Sequence, residues 1–525
     1  MAKITSTSKI PDIKSDFNEK APKPVSAGHI SAPNGRRVRM AGKRFVITSA
    51  QNNTDVNPGF IKALESYCAE NDAQLLVTRF TYNKTAYQQK EDGTLWYDPR
   101  IEKYAFDQSA EITKKLILCG ELDVSPSAGD PLSGFDTYCQ SASGIIGHPK
   151  FAMKSLPSLE REGTRFMYTT GTCTQRNYIE RKAGQKAEFH HSYGALVVEV
   201  DNDGDFFVRQ ISANNDGSFY DLTNKYLPTG KVLHDQRVEA ITLGDIHVEK
   251  GDPVMDKVSF GEGGLMETLK PKYAFLHDLI DFTSRNHHNR ENPLFLLEQS
   301  QADATVEGDL DKAGEWLKKH ASPDRKDIVV RANHDEAYER WITQVKPDDV
   351  LKDSKNVEFW LESYLERIKQ IKGKSPAVPM LEWAIRRKFD LPQVTFLTEN
   401  DSFVICKNDK EEGGGIECGL HGHIGPNGAR GTPGSFRSLG KKTNTGHTHS
   451  AGIIDGVYTA GVSGNLDMGY NKGPSSWSHS HIVTYPNGKR AIITVKNGKW
   501  KGDQEAKPAV AAVRNTRRRK GPSAG

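Results

Sequence analysis

The chain has 525 residues, with 71 Lys and Arg against 67 Asp and Glu, a net charge of +4, and 36% hydrophobic residues. That length predicts two to four domains and suffices to bury a core without disulfides. No apolar run approaches the roughly 18 residues that a membrane-spanning helix needs, and no secretory signal is expected at the N-terminus. The even charge balance does not by itself announce a nucleic-acid binder, nor does it exclude one, because binding depends on where the charges sit.

In chain order, residues 1–40 are rich in Ser, Pro and Lys, lack periodicity, and read as a disordered or loosely attached arm. Residues 44–51 (RFVITSAQ) predict a buried strand, 58–70 a helix opening at Pro58, and 74–82 a second strand. Residues 114–124 continue this α/β pattern, and 195–211 predict a hairpin around an Asn-Asp-Gly turn. An N-terminal α/β domain of unknown role is therefore expected over 41–235.

A second unit is expected over 236–500. Residues 238–250, 273–282 and 327–336 each read as an apolar strand followed at once by polar residues of catalytic type. Residues 335–392 predict a helical insertion, with apolar residues at i, i+3/i+4 spacing. Its Trp341, Trp360 and Trp383 are expected in the core rather than as a base-stacking platform. A Gly-rich stretch, 413–440, precedes short strands, and the tail 501–525 ends in Arg514, Arg517, Arg518, Arg519 and Lys520. That tail reads as a flexible, solvated end, with non-specific phosphate contact as the alternative.

Six cysteines (Cys68, Cys119, Cys139, Cys173, Cys406 and Cys418) form no CxxC pair. They predict reduced, mostly buried thiols in a cytoplasmic protein rather than a zinc finger or disulfide framework. Histidine is more informative. Five motifs occur in order: Gly-Asp-Ile-His (Asp245, His247), His-Asp-Leu-Ile-Asp (Asp278, Asp281), Ala-Asn-His-Asp (Asn333, His334, Asp335), Gly-Leu-His-Gly-His (His421, His423) and Gly-His-Thr-His (His447, His449). At a strand's carboxyl end, an i, i+2 pair can turn toward one point, and a flanking glycine permits close approach. Asp, His and Asn supply the mixed N and O donors that a pair of divalent cations needs, and the lack of Cys argues against structural zinc.

The series resembles the calcineurin-like metallophosphoesterase family, in a branch encoded by large tailed bacteriophages. The pattern is Asp-x-His, Gly-Asp-x-x-Asp, Gly-Asn-His-Asp/Glu, His and Gly-His-x-His. GLHGHIGPNGARG and DMGYNKGPSSWSHSH resemble the phage branch. The resemblance implies a four-layer α/β (α+β) sandwich with a helical insertion, behind an extra N-terminal α/β domain. It implies a two-metal deoxyribonuclease that degrades host DNA early in infection, in the host cytoplasm. By the same resemblance Asp245, His247 and His449 hold one metal, Asp278 bridges, and Asn333, His421 and His447 hold the other. His334 acts at the scissile phosphate with Asp335 orienting its ring. His277 stands where the family has Gly, which leaves Asp281 as the fallback for Asp278, and Ala332 replaces the Gly before Asn333.

Mn²⁺ is the first expectation for the metals, with Zn²⁺, Fe and Mg²⁺ open. Arg331 and Arg430 are candidates for substrate phosphate, and His423 and Asp281 for supporting the ligands. His479 and His481 are a competing i, i+2 pair, while His190-His191 and His287-His288 read as structural or surface residues. DNA is the expected partner, with host proteins and a homo-oligomer as further expectations. Two other readings stand beside the nuclease. One is a phosphatase or phosphodiesterase on a small molecule or protein; the other is a non-catalytic scaffold that binds DNA or a host protein.

Overall fold

The computed structural model describes residues 37–84, 95–285, 292–302, 304–407 and 414–502; His287, His288 and the basic tail lie outside the described residues. Alternating apolar residues build a mixed α/β architecture around one long sheet. Its eleven strands run in the order Val38–Arg39, Ser109–Thr113, Leu116–Cys119, Ser143–Ile146, Arg165–Thr169, Met153–Leu156, Gly452–Ile454, Val457–Thr459, Lys442–Thr445, Ile416–Glu417, Val404–Ile405. Strands from both sides of residue 235 share this sheet. They meet where Met153–Leu156 runs antiparallel to Gly452–Ile454, with Met153 opposite Ile453. Residues 38 and 39, expected within the arm, instead pair with Ala110 and Glu111, because Ser109–Thr113 offers them an open edge.

Two smaller sheets are packed against the long one. The first orders Phe206–Ser212, Gly194–Val200, Arg44–Gln51 and Gln74–Phe80. The expected hairpin is present, with Phe206 opposite Val200. The period of two sorts its side chains. Phe45 and Ile47 face the long sheet with Leu116 and Leu118, whereas Val46 and Ala50 pack with helix Pro58–Asn71. That helix begins where expected, with Pro58 in its first turn and the Asn57 side chain accepting from the Phe60 N–H.

The second smaller sheet positions the candidate site. Its order is Val394–Phe396, Lys326–Val329, Tyr273–Leu276, Ala240–Thr242, Ser480–Thr484, Arg490–Thr494, and the first four strands are parallel. One face packs on the long sheet through Ala240, Phe275, Ile328, Ile405 and Ile416. The other face is covered by helices, among them Val306–His320, Asp335–Gln344, Val357–Ile371 and Met380–Arg386. Val306, Leu310, Ala313 and Leu317 are the buried stripe of the first of these. Trp341 and Trp360 lie in this core and Trp383 packs against it. All six cysteines are free thiols, and all but the half-buried Cys406 are buried.

Among the described residues, no helix is long and apolar enough to cross a membrane.

Candidate metal centre

The five motifs leave the carboxyl ends of parallel strands in two facing sheets. Asp245 and His247 follow Ala240–Thr242, Asp278 follows Tyr273–Leu276, and Asn333 follows Lys326–Val329. From the long sheet, His421 follows Ile416–Glu417 and His447 follows Lys442–Thr445. The first two loops are zipped together beyond their strands: the N–H groups of Ile246, His247 and Val248 donate to the carbonyls of His277, Asp278 and Leu279 at 2.9, 2.8 and 3.0 Å. Parallel pairing thus carries the ligand pairs into register.

Asp245, His247, Asp278 and His449 each present a donor atom within 4.8 Å of the others, all buried. His449 Nε2 lies 3.1 Å from Asp245 Oδ2 and 3.2 Å from His247 Nε2. Beside them Asn333 Oδ1 lies 3.0 Å from both His421 Nε2 and His447 Nδ1. Asp278 stands between the two groups, its Oδ2 being 3.2 Å from His421 Nε2 and 3.9 Å from His247 Nε2. The structure therefore brings together all seven residues expected to hold metal.

Three features fit this donor set to cations. Asp245 Oδ1 and His449 Nδ1 are buried without a hydrogen-bond partner, which an uncharged interior does not tolerate cheaply. His247, Asp278, His447 and His449 all hold positive φ, of 48°, 41°, 75° and 56°. Four non-glycine residues in that region at one place is strain of the kind that persists at functional sites. Finally, a Cβ on Gly446 would overlap Asp245 Oδ1, so only glycine lets the His447 N–H reach Asp245 Oδ2 at 2.8 Å.

The electrostatics agree. Burial opposes ionisation of Asp278, yet His421 and His334 outweigh it and hold the carboxyl well below its usual range. Asp245 is also lowered, His421 and His449 overcoming its burial. His421 is pushed up to about 9: burial works against its charge, but Asp278 and Asp245 prevail. A cation held there would compete with the proton on His421.

His277 is a participant that the sequence presented only as a departure from a pattern. It is fully buried, and its Nδ1 lies 3.2 Å from Nδ1 of His421. Burial, then His421, pushes it down to about 3, so it is a neutral acceptor that can fix the ring of His421.

The other expected residues divide. His334 joins the site: its backbone N–H donates to Asp278 Oδ1 at 3.0 Å, and its ring meets that of His247 at 4.8 Å. Asp335 does not orient that ring. Its Oδ1 accepts from the Ile280 N–H at 3.1 Å, because Asp335 begins helix Asp335–Gln344 and turns toward the 279–280 backbone. Asp281 takes the ring-orienting place, with its carbonyl 3.2 Å and Oδ1 3.5 Å from His334 Nδ1. His423 lies beside the cluster, its ring 5.3 Å from that of His421 and its Nε2 3.4 Å from Glu336 Oε1.

Arg331 is paired with that same Glu336 at 2.8 Å and is near Glu339 and Glu399, so acidic side chains already neutralise it. Arg430 is exposed on the loop closed by the Ile424–Arg430 bridge. His479 and His481 brace the site from behind: His481 Nδ1 accepts from Gly244 N–H at 3.1 Å, and His479 Nε2 lies 2.9 Å from the Gly464 carbonyl. His191 bonds Tyr178 and His190 lies by Asp455, both structural contacts.

Fold and site together define a mixed α/β protein with a buried Asp/His cluster able to hold metal ions. The chain is 42% identical over 490 residues to Protein A1 of Escherichia phage T5, a match that covers 91% of this chain and 86% of that protein. It belongs to that phage protein family. No family model matches the sequence, and no solved structure matches the fold.

Proposed function

We propose that this protein is a metal-dependent deoxyribonuclease of calcineurin-like metallophosphoesterase type, expressed early by a phage to degrade host DNA in the host cytoplasm. One observation carries the reading: Asp278 stands between two converging donor groups, Asp245/His247/His449 and Asn333/His421/His447. Two divalent cations held there, Mn²⁺ in first place, would supply positive charge to a phosphate's oxygens and acidify a water for attack on phosphorus. The sequence relationship to a phage protein and the donor chemistry support the reading together.

The chain's own residues account for proton handling. A carbonyl only accepts, so Asp281 fixes the Nδ1–H tautomer of His334 and leaves Nε2 facing away from it. In the imidazolium form that Nε2–H can protonate the departing oxygen, while the Asp281 carboxylate balances the charge. Lys250 Nζ lies 3.5 Å from Asp281 Oδ2 and Thr283 Oγ1 donates to the same oxygen at 2.9 Å, which hold the carboxylate in place.

The test is digestion of duplex and single-stranded DNA by the purified chain across Mn²⁺, Mg²⁺, Zn²⁺ and Fe²⁺, with EDTA as control. Cleavage in Mn²⁺ that EDTA abolishes supports the nuclease. Hydrolysis of a generic phosphodiester with DNA left intact replaces it with a small-substrate phosphodiesterase. No hydrolysis and no metal uptake replaces it with a non-catalytic scaffold.

A further inference from the structure

The loop from Asp467 to Trp477 carries two aromatic rings to the edge of the cluster. Tyr470 lies over His334 with ring centroids 6.3 Å apart and planes 25° from parallel. Lys250 Nζ lies 4.9 Å from the same ring centroid. Trp477 meets Tyr470 at 6.0 Å and 68°, and reaches the ligand His449 at 4.1 Å and 74°. Despite these three neighbours Tyr470 keeps 46% of its surface exposed. Its hydroxyl is bonded to Met468 Sδ at 2.9 Å, so the ring is held rather than loose.

An aromatic ring offers its largest apolar area through its faces. A fixed, half-exposed ring one residue-width from the proposed proton donor is suited to stacking a flat partner. Nucleobases are such partners, and a base can use an aromatic face only after leaving its own stack.

Resting on the nuclease reading above, we propose that Tyr470, flanked by Trp477, stacks the base next to the scissile phosphate. The substrate is then an unpaired stretch of DNA strand, a single strand or a frayed end, in preference to an intact duplex interior.

The test uses the full chain. Single-stranded oligonucleotides with 2-aminopurine at successive positions are bound in EDTA or Ca²⁺, and fluorescence quenching reports stacking. Wild type should quench at one or two positions, Tyr470→Ala should lose that quench, and Tyr470→Phe should keep it. In Mn²⁺, Tyr470→Ala should raise KM for single strands about tenfold, with kcat little changed. A fall in kcat at unchanged KM would show that the ring merely props His334, and overturns the proposal. So does a Tyr470→Ala protein that quenches and cleaves like wild type, or a wild type that cleaves DNA without quenching at any position. A wild type that neither binds nor cleaves DNA with any cation defeats the nuclease reading itself, and the stacking proposal with it.

Discussion

Asp281 holds the ring of His334, with its carbonyl 3.2 Å and its Oδ1 3.5 Å from His334 Nδ1. Asp335, next to His334 in sequence, makes no such contact and caps the backbone at Ile280. Asp281→Asn should therefore lower kcat for phosphodiester hydrolysis about 10–100-fold, as loss of a supporting partner does. Asp335→Asn keeps an oxygen for the Ile280 N–H and should leave kcat close to wild type. Steady-state kinetics on the two variants separate the roles; the reverse order of effects would return the orienting role to Asp335.

Asp278 joins the two donor groups, so its charge should matter to metal before it matters to fold. Added Mn²⁺ should raise the wild-type melting temperature, since a ligand at 100 times its Kd stabilises by about 2.7 kcal/mol. Asp278→Asn should abolish that shift, lose metal by elemental analysis, and lower hydrolysis at least about 100-fold. Its far-UV circular dichroism should match wild type. An unchanged thermal shift in the variant would remove Asp278 from the site.

A side chain at Gly446 would strike Asp245 Oδ1 directly. Gly446→Ala should cost about 1–3 kcal/mol of stability by overpacking and displace Asp245 or the His447 loop. Gly473 differs on both counts: it has positive φ (88°), which Gly446 does not, and no atom lies within 4 Å of its missing Cβ. Gly473→Ala should affect stability through backbone strain alone and leave metal binding intact. Parallel denaturant melts and metal titrations of both variants check this.

Lys496 packs its ammonium 3.4 Å from the centroid of the Phe206 ring, and burial pushes it down to about 7. Between pH 7 and the ordinary value near 10.5 the unfolded chain binds the proton and the folded chain does not. The lysine's contribution to stability therefore rises with pH across that window, and its cost is fully present below pH 7. Lys496→Met should be more stable than wild type at pH 6, and the gap should narrow toward pH 10. A gap that stays constant with pH, measured by urea denaturation, would show that Lys496 titrates normally.

The local elements were legible in the sequence because they depend on near neighbours. The strand at 44–51, the helix opening at Pro58 and the hairpin before Ser212 follow from a short apolar run, a proline in the first turn and an Asn-Asp-Gly turn. The short strands between Ile416 and Thr459 were only loosely marked, since their partners lie elsewhere in the chain. That strands from both ends of the chain join one sheet through Met153 and Ile453 is a long-range pairing with no local signal.

The same division runs through the candidate site. Residue types and spacing marked five motifs as candidates, because metal chemistry restricts the donors, and the resemblance to a metallophosphoesterase pattern supplied the expected ligands among them. Only the tertiary structure decided their partners. It set Asp281 rather than Asp335 against His334, placed His277 against His421, engaged Arg331 with Glu336, and brought Tyr470 over His334. Those contacts join loops from different strands and sheets, and such distances are fixed by how the sheets pack, which a linear spacing does not encode.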